Sequence, residues 1–309
     1  MKITIIGAAG SLGACTAFNI AVHGLADEIV MIDPRQNFLT HHVTDIGAAV
    51  SGQEIQVRAG RDEDMSGSDI IIVTAGTPQQ IISSRREVLP HNLPIIQGIA
   101  EKIKQFSPEA VVITATISVG AMNYAMYLCS TLDRKKLIGY TVNDSIRFRM
   151  MVAQALGVKS SQVEGTVIGE HGDSQVLLFS SIRVNGKPVS VSEEVKRDIR
   201  QQVPNLMRSH QALKTGLTSG WTSAVGLASM VRAIGKNTGE MIPCSVVLDG
   251  EYGCHGLSMT VPAILGRGGV HEILEWELAS DERELLEHSI NVLKADMRYI
   301  EETLGISSR

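Results

Sequence analysis

The first half of the chain alternates short apolar runs with segments of helical spacing, and that alternation constrains the fold more than any other feature. Residues 3–6, 29–32, 70–74, 111–114 and 137–138 are short and rich in Ile and Val. Such runs, with no polar residue at every second place, suit strands buried on both faces. Between them, residues 12–23 and 95–106 carry apolar side chains at helical intervals. Strand, helix, strand in repetition predicts a parallel sheet with helices on both faces.

After about residue 143 the pattern changes. Residues 145–156 read as a helix, and 163–168 and 176–184 as strands, with Asn185-Gly186 as the tight turn of a hairpin. Residues 281–304 predict a long helix with Leu285, Leu286, Ile290, Leu293 and Ile300 on one face. A length of 309 residues suits two packed domains. The expected architecture is α/β: a Rossmann-type doubly wound parallel sheet over residues 1–143, then an α+β substrate domain over 144–309.

Composition removes several functions. With 44% hydrophobic and 20% charged residues the chain reads as globular rather than disordered. A net charge of -5 argues against nucleic acid or an anionic membrane as a partner. No stretch approaches the apolar length of a membrane span, and the N-terminal apolar run is too short for a signal-peptide core. Cys15, Cys129, Cys244 and Cys254 form no CxxC pair and have no zinc spacing, so no metal site is expected. Their scatter fits a reducing compartment, and a cytoplasmic location is expected.

Gly7-Ala8-Ala9-Gly10-Ser11-Leu12-Gly13 follows an apolar strand and opens a helix. Glycines there permit a tight turn and a close backbone approach, and the helix N-terminus offers N–H groups to a pyrophosphate. Gly7, Gly10, Ser11, Leu12 and Gly13 are therefore candidate dinucleotide-binding residues. Asp33 ends the second apolar run, where an acidic side chain would bond the hydroxyls of the adenosine ribose. Its charge would also repel the extra phosphate of NADP, although the neighbouring Arg35 keeps NADP from being excluded.

Gly169-Glu170-His171-Gly172-Asp173-Ser174 follows residues 163–168, which puts His171 on a loop at a strand end. Asp144 and Arg147 sit three apart at the start of a predicted helix and share a face. Arg85 and Arg86 follow a turn-rich segment. Hydride transfer to a 2-oxo acid needs a proton donor for the carbonyl oxygen, which a histidine supplies near neutral pH. It needs a carboxylate to orient that histidine, and an arginine fork to hold the substrate carboxylate. A further cation near the carbonyl stabilises the charge that develops there.

Nearly end to end, the chain resembles the lactate/malate dehydrogenases. Gly7 to Gly13 resembles the glycine loop of the malate branch, and Thr74-Ala75-Gly76-Thr77-Pro78 the segment before the mobile active-site loop. Asp144-Ser145-Ile146-Arg147-Phe148, Gly169 to Ser174, Asp249-Gly250-Glu251-Tyr252-Gly253 and Val261-Pro262-Ala263-Ile264-Leu265-Gly266 are similar to further motifs of that family. The resemblance implies NAD as cofactor, with Thr74, Ala75 and Gly76 beside it, and a small 2-oxo/2-hydroxy acid as substrate. It makes His171 the proton donor and acceptor, Asp144 its orienting carboxylate, Arg147 the substrate clamp and Arg85 the group that polarises the carbonyl. Arg86 is expected to be a solvated charge on a helix face. A homo-oligomer, dimer or tetramer, is also implied.

Two departures matter. Where the family has Asn-Pro-Val-Asp, this chain reads Ile117-Ser118-Val119-Gly120, so the asparagine that helps bind the reacting oxygen is missing. Where the malate branch has Arg-Lys-Pro-Gly, it reads Gln79-Gln80-Ile81-Ile82, and Pro90 and Pro94 are expected to interrupt the following helix. Gln79, at the selector position, offers only neutral hydrogen bonds, and Thr222 resembles the lactate branch. The expectation is a monocarboxylic substrate in preference to malate. The alternative is a nucleotide-binding relative whose chemistry is weakened or lost, the reading that Ile117 favours.

Overall fold

The computed structural model describes residues 1–77, 85–213, 215 and 219–306, without the side chains of residue 85 and residues 204–211. In chain order the first half runs β1 (Lys2–Ile6), α1 (Ser11–Val22), β2 (Glu28–Ile32), α2 (Gln36–Ala49), β3 (Gln56–Ala59), β4 (Ile70–Val73), α3 (Leu89–Phe106), β5 (Val111–Thr114), α4 (Val119–Ser130), β6 (Leu137–Gly139) and α5 (Val142–Leu156). The second half runs β7 (Val163–Glu164), β8 (Val167–Ile168), β9 (Val176–Leu177), β10 (Arg183–Val184), β11 (Lys187–Pro188), α6 (Glu193–Ala212), α7 (Gly220–Gly235), β12 (Glu240–Asp249), β13 (His255–Gly266), β14 (Gly269–Ile273) and α8 (Ser280–Leu304).

The main sheet has the order β14-β13-β12-β6-β5-β4-β1-β2-β3. Strands β1 to β6 pair in parallel, as their Ile- and Val-rich runs require once helices cover both faces. The order 3-2-1-4-5-6 reverses direction between β1 and β4, and a crevice opens there at the carboxyl ends of the strands. Beyond β6 the sheet continues antiparallel, through Ser245 opposite Gly139 and then a long β12–β13 ladder. One apolar core, including Ile5, Ile72, Ile113, Tyr124, Val246 and Met259, runs beneath both parts of this sheet. A second cluster around Phe148, Val163, Phe179 and Ile199 fills the space between α5, α6 and the short strands.

Several local expectations change. The stretch 163–168 is two strands rather than one, because the chain changes partner at Gly165: β7 pairs with β10 and β8 with β9. The stretch 176–184 is likewise divided by a 3-10 turn, Phe179–Ser181. Asn185 and Gly186 do turn the β10–β11 hairpin, both with positive φ, at 52° and 75°. Pro90 and Pro94 do not interrupt α3. Pro90 lies in the first turn, where no N–H is needed, and Pro94 removes one bond near the helix start while Leu93, Ile96, Ala100 and Ile103 bury the helix face. Helix α5 begins at Val142, three residues before the expected start at 145. On α8, Leu285 is 40% exposed, and the buried seam is Glu282, Leu286, Ser289, Leu293, Asp296, Met297 and Ile300.

Candidate active site

The loop after β1 turns sharply. Gly7 has φ +86°, and a Cβ there would lie 2.5 Å from the Ala75 nitrogen. A Cβ on Gly13 would lie 2.5 Å from the Gly7 carbonyl oxygen. Only glycine fits either position, so the glycines are needed for the backbone to fold back on the start of α1. No side chain caps α1 at Gly10, so its first turn faces the crevice with backbone N–H groups. Ser11 is exposed there and Leu12 half-buried. This cradle fits the pyrophosphate of a dinucleotide.

The segment after β4 forms the opposite lip. Thr74 Oγ1 donates to the carbonyls of Ile6 (3.0 Å) and Gly7 (3.2 Å), and the Ala75 carbonyl accepts from Thr116 Oγ1 at 2.6 Å. Gly76 lies against Thr116 and Asn92. The Asn92 side chain, buried on α3, accepts from Thr77 N–H at 2.9 Å and donates from Nδ2 to the Ile117 carbonyl at 2.5 Å. One amide thus ties the loop after β4 to the loop after β5. The Ile117 side chain is half-buried at that strand end.

Asp33, just past β2, is nearly fully buried and accepts from the Ala9 N–H at 3.0 Å. Arg35 closes over it, through its backbone N–H, Nε and Nη2 at 3.0 to 3.1 Å. Burial pushes the Asp33 carboxyl up, but the hydrogen bonds and charge of Arg35, with the Ala9 N–H, outweigh it and hold the carboxyl below its ordinary value.

At the other side of the crevice, His171 Nδ1 lies 2.5 Å from Asp144 Oδ2, with both side chains largely buried. Asp144 sits in the first turn of α5, and Arg147 follows one turn later. Arg147 Nη2 donates to Ser219 Oγ at 2.8 Å, at the N-terminus of α7, and Thr222 lies in the first turn of that helix. The histidine loop is braced from within. Glu170 accepts from the Ser174 N–H and hydroxyl, and its own N–H donates to Ser289 of α8 at 2.8 Å. The expected sites on Gln79 and the Arg85 side chain lie outside the described residues; the Arg85 backbone opens a 3-10 turn, Arg85–Val88.

Arg86 is 49% exposed, as expected of a solvated charge, and it is also ion-paired with Asp296, a buried carboxylate of α8. Sequence reasoning also missed Asn92, Asn143, Ser219 and Ser289. Asn143 accepts from Tyr140 at 2.6 Å and donates to Ser223 at 2.7 Å, joining the start of α5 to α7. The local sequence does not single them out: Asn92 follows His91, and Asn143 is followed by Asp144 and Ser145. Among the described residues no group of His, Cys, Asp and Glu is placed to hold a metal ion, and no helix is long and apolar enough to cross a membrane.

A glycine cradle at the switch point of a parallel sheet, facing a histidine–carboxylate pair and an arginine, defines a dinucleotide-dependent dehydrogenase. Residues 1–139 match the NAD-binding domain of lactate/malate dehydrogenase and residues 141–304 its α/β C-terminal domain, so the chain belongs to the lactate/malate dehydrogenase family. A malate dehydrogenase of Halobacterium salinarum is 36% identical over 302 residues, covering 95% of this chain and 97% of that one. The crystal structure of Cryptosporidium parvum malate dehydrogenase superposes with a TM-score of 0.93 at 27% identity, covering 97% of this chain and 99% of that one. The lactate dehydrogenase of the same organism, complexed with lactic acid and nicotinamide adenine dinucleotide, gives 0.93 at 31% identity, covering 97% and 98%. The chain is an NAD-dependent oxidoreductase acting on the CH–OH group of a 2-hydroxy acid.

Proposed function

We propose that the chain interconverts a small 2-oxo acid and its 2-hydroxy acid with His171, Asp144, Arg147 and Arg85 as the working side chains. The observation that carries this reading is the 2.5 Å contact between His171 Nδ1 and Asp144 Oδ2, with Arg147 one turn along the same helix. NAD(H), when bound, takes up or supplies the hydride. Because Nδ1 is committed to Asp144, the proton exchanged with the substrate oxygen is carried on Nε2. Asp144 fixes the ring orientation and stabilises the imidazolium. Arg147 clamps the substrate carboxylate, its fork steadied by Ser219. Arg85 polarises the carbonyl. Gly7, Gly10, Ser11, Leu12 and Gly13 receive the pyrophosphate, Asp33 the adenosine ribose, and Thr74, Ala75 and Gly76 the cofactor's flank. On this reading residues 1–143 hold the dinucleotide and 144–309 the substrate.

The preferred substrate in this proposal is a monocarboxylic acid. Gln79 offers no charge to a second carboxylate, and Thr222 stands in the first turn of α7, close in sequence to the Ser219 that holds Arg147. The malate dehydrogenase names of the relatives favour a second reading, malate and oxaloacetate. Comparing kcat/KM on pyruvate, longer 2-oxo acids and oxaloacetate decides between them. A clear preference for oxaloacetate overturns the monocarboxylic reading. NADH binding without turnover on any acid points to the weakened relative that Ile117 favours.

A homo-oligomer in the cytoplasm completes the proposal. The exposed Phe18 and Val22 of α1 and Trp221 and Val225 of α7, two helices packed together, support self-association. The four unpaired cysteines support a reducing compartment. Light scattering of the purified protein tests the assembly.

A further inference from the structure

Two polar contacts join α5 to the start of α7. Arg147 Nη2 donates to Ser219 Oγ at 2.8 Å, and Asn143 Nδ2 donates to Ser223 Oγ at 2.7 Å. Asn143 and Arg147 stand one turn apart on α5, and Ser219, at the N-cap of α7, stands one turn before Ser223. Each pair therefore takes one face of its helix, and the helices are tied at two points. Asp144 follows Asn143 in the chain, and Thr222 precedes Ser223.

The tie through Asn143 is itself held. Asn143 Oδ1 accepts from the Tyr140 hydroxyl at 2.6 Å. Tyr140 follows β6, and its backbone N–H donates to the Thr114 carbonyl of β5 at 2.8 Å. A chain of bonds thus runs from the parallel sheet through Tyr140 and Asn143 to Ser223 on α7. Both side chains are buried, and a Cβ on Gly226 of α7 would lie 2.3 Å from the Tyr140 oxygen. Burial pushes the phenol far above its ordinary value; the Asp144 charge adds to this, and the Ser223 hydroxyl and the Arg147 charge oppose it. The phenol sits close enough to feel both the orienting carboxylate and the clamp. It stays neutral, so it acts by position and not by exchanging a proton.

A guanidinium holds a carboxylate bidentately only when its planar fork points in a fixed direction, and a long side chain otherwise samples several rotamers. Ser219 selects one direction for Arg147, and Ser219 is placed by the start of α7. The bond to Ser223 anchors that start.

We propose that Tyr140, Asn143 and Ser223 are positioning residues: they fix the first turn of α7 and, through Ser219, the direction of the Arg147 fork, and so set the affinity for the substrate carboxylate. The inference rests on the assignment of Arg147 as the carboxylate clamp.

Steady-state kinetics on the 2-oxo acid that the unmodified protein turns over best tests it, with Tyr140→Phe and Ser223→Ala. Folding is checked by thermal melting and cofactor binding by NADH fluorescence. Each variant should raise KM by about five- to tenfold, the worth of one hydrogen bond, and leave kcat within about threefold and NADH affinity unchanged. The two changes together should cost no more than the larger alone, because both break one chain of bonds. Beside Arg147→Lys, Tyr140→Phe should no longer change KM, because lysine has no fork to direct. A KM within about twofold of normal in both single variants, or a Tyr140→Phe effect that persists in full beside Arg147→Lys, overturns the proposal. A loss in kcat as large as the rise in KM also overturns it, since the damage then lies at the His171–Asp144 pair. An unmodified protein that binds NADH but turns over no 2-oxo acid overturns the reading of Arg147 beneath the proposal, and the proposal with it.

Discussion

The buried carboxylate of Asp296 on α8 is ion-paired with Arg86, the residue next to Arg85 in the 3-10 turn ahead of α3. Two turns earlier on the same face of α8, Ser289 accepts from the Glu170 N–H beside His171. A single helix from the far end of the chain therefore braces both the histidine loop and the turn that begins at Arg85. Burial pushes the Asp296 carboxyl up to about 6; the Arg86 charge opposes this and the Glu170 charge adds to it.

Asp296→Asn should reveal that burial as a pH dependence. A carboxyl raised in the fold favours its protonated form, so its contribution is complete below the unfolded value near 3.8 and is lost as pH rises through about 6. The stability of Asp296→Asn relative to the unmodified protein should then improve by about 1–2 kcal/mol between pH 4 and pH 7.5, allowing for solvent screening. Denaturant unfolding of both proteins at the two pH values measures this. A difference that stays constant with pH would mean that Asp296 ionises as freely in the fold as in the unfolded chain.

Replacing Asp144 by Asn removes the charge that holds His171 while keeping the shape. Turnover should fall by about 100-fold or more at saturating substrate, because the ring loses the partner that orients it and favours its protonated form. NADH affinity, read by fluorescence, should change little, since Asp33 and the glycine loop are untouched. Equal losses in turnover and in NADH binding would indicate a folding defect rather than a lost proton carrier.

Ile117→Asn should raise kcat/KM on pyruvate-sized acids by about tenfold, part of the 10²–10³ that one oxyanion donor typically supplies. The position is suited to it: the Ile117 carbonyl is already held by Asn92, and its side chain is half-buried at the carboxyl end of β5. Steady-state kinetics on a variant with a normal melting temperature checks this. An unchanged or lower kcat/KM would show that the isoleucine is not the deficiency.

Asn92→Ala should cost about 2 kcal/mol, because its bonds to Thr77 and Ile117 are lost together and leave two part-buried backbone groups without this partner. The melting temperature should fall, and the Michaelis constant for the 2-oxo acid should rise, as two loops of the crevice lose their common tie. Thermal unfolding and steady-state kinetics measure the two effects separately.

The sequence by itself determined what depends on neighbours along the chain. Ile- and Val-rich runs of four or five residues, separated by helical spacing, specify a parallel α/β sheet because a strand covered on both faces leaves no room for polar alternation. Gly7 and Gly13 were legible for a related reason: a strand must turn within a few residues into a helix, and only glycine fits where a Cβ would meet backbone. Asp144 and Arg147 share a face through helical geometry alone. The long β12–β13 pair left little local signal, since Pro243, Ser245, Ser258, Thr260 and Pro262 interrupt its apolar runs and its partners are set by the sheet it extends. Only the tertiary structure decided which polar groups meet: His171 with Asp144, Arg147 with Ser219, Arg86 with Asp296, and Arg35 folded back over Asp33 rather than away from it. Periodicity says which face a side chain takes, but a buried charge is stabilised only by the partner that packing brings within reach, and that partner comes from a distant element or from one choice among several rotamers.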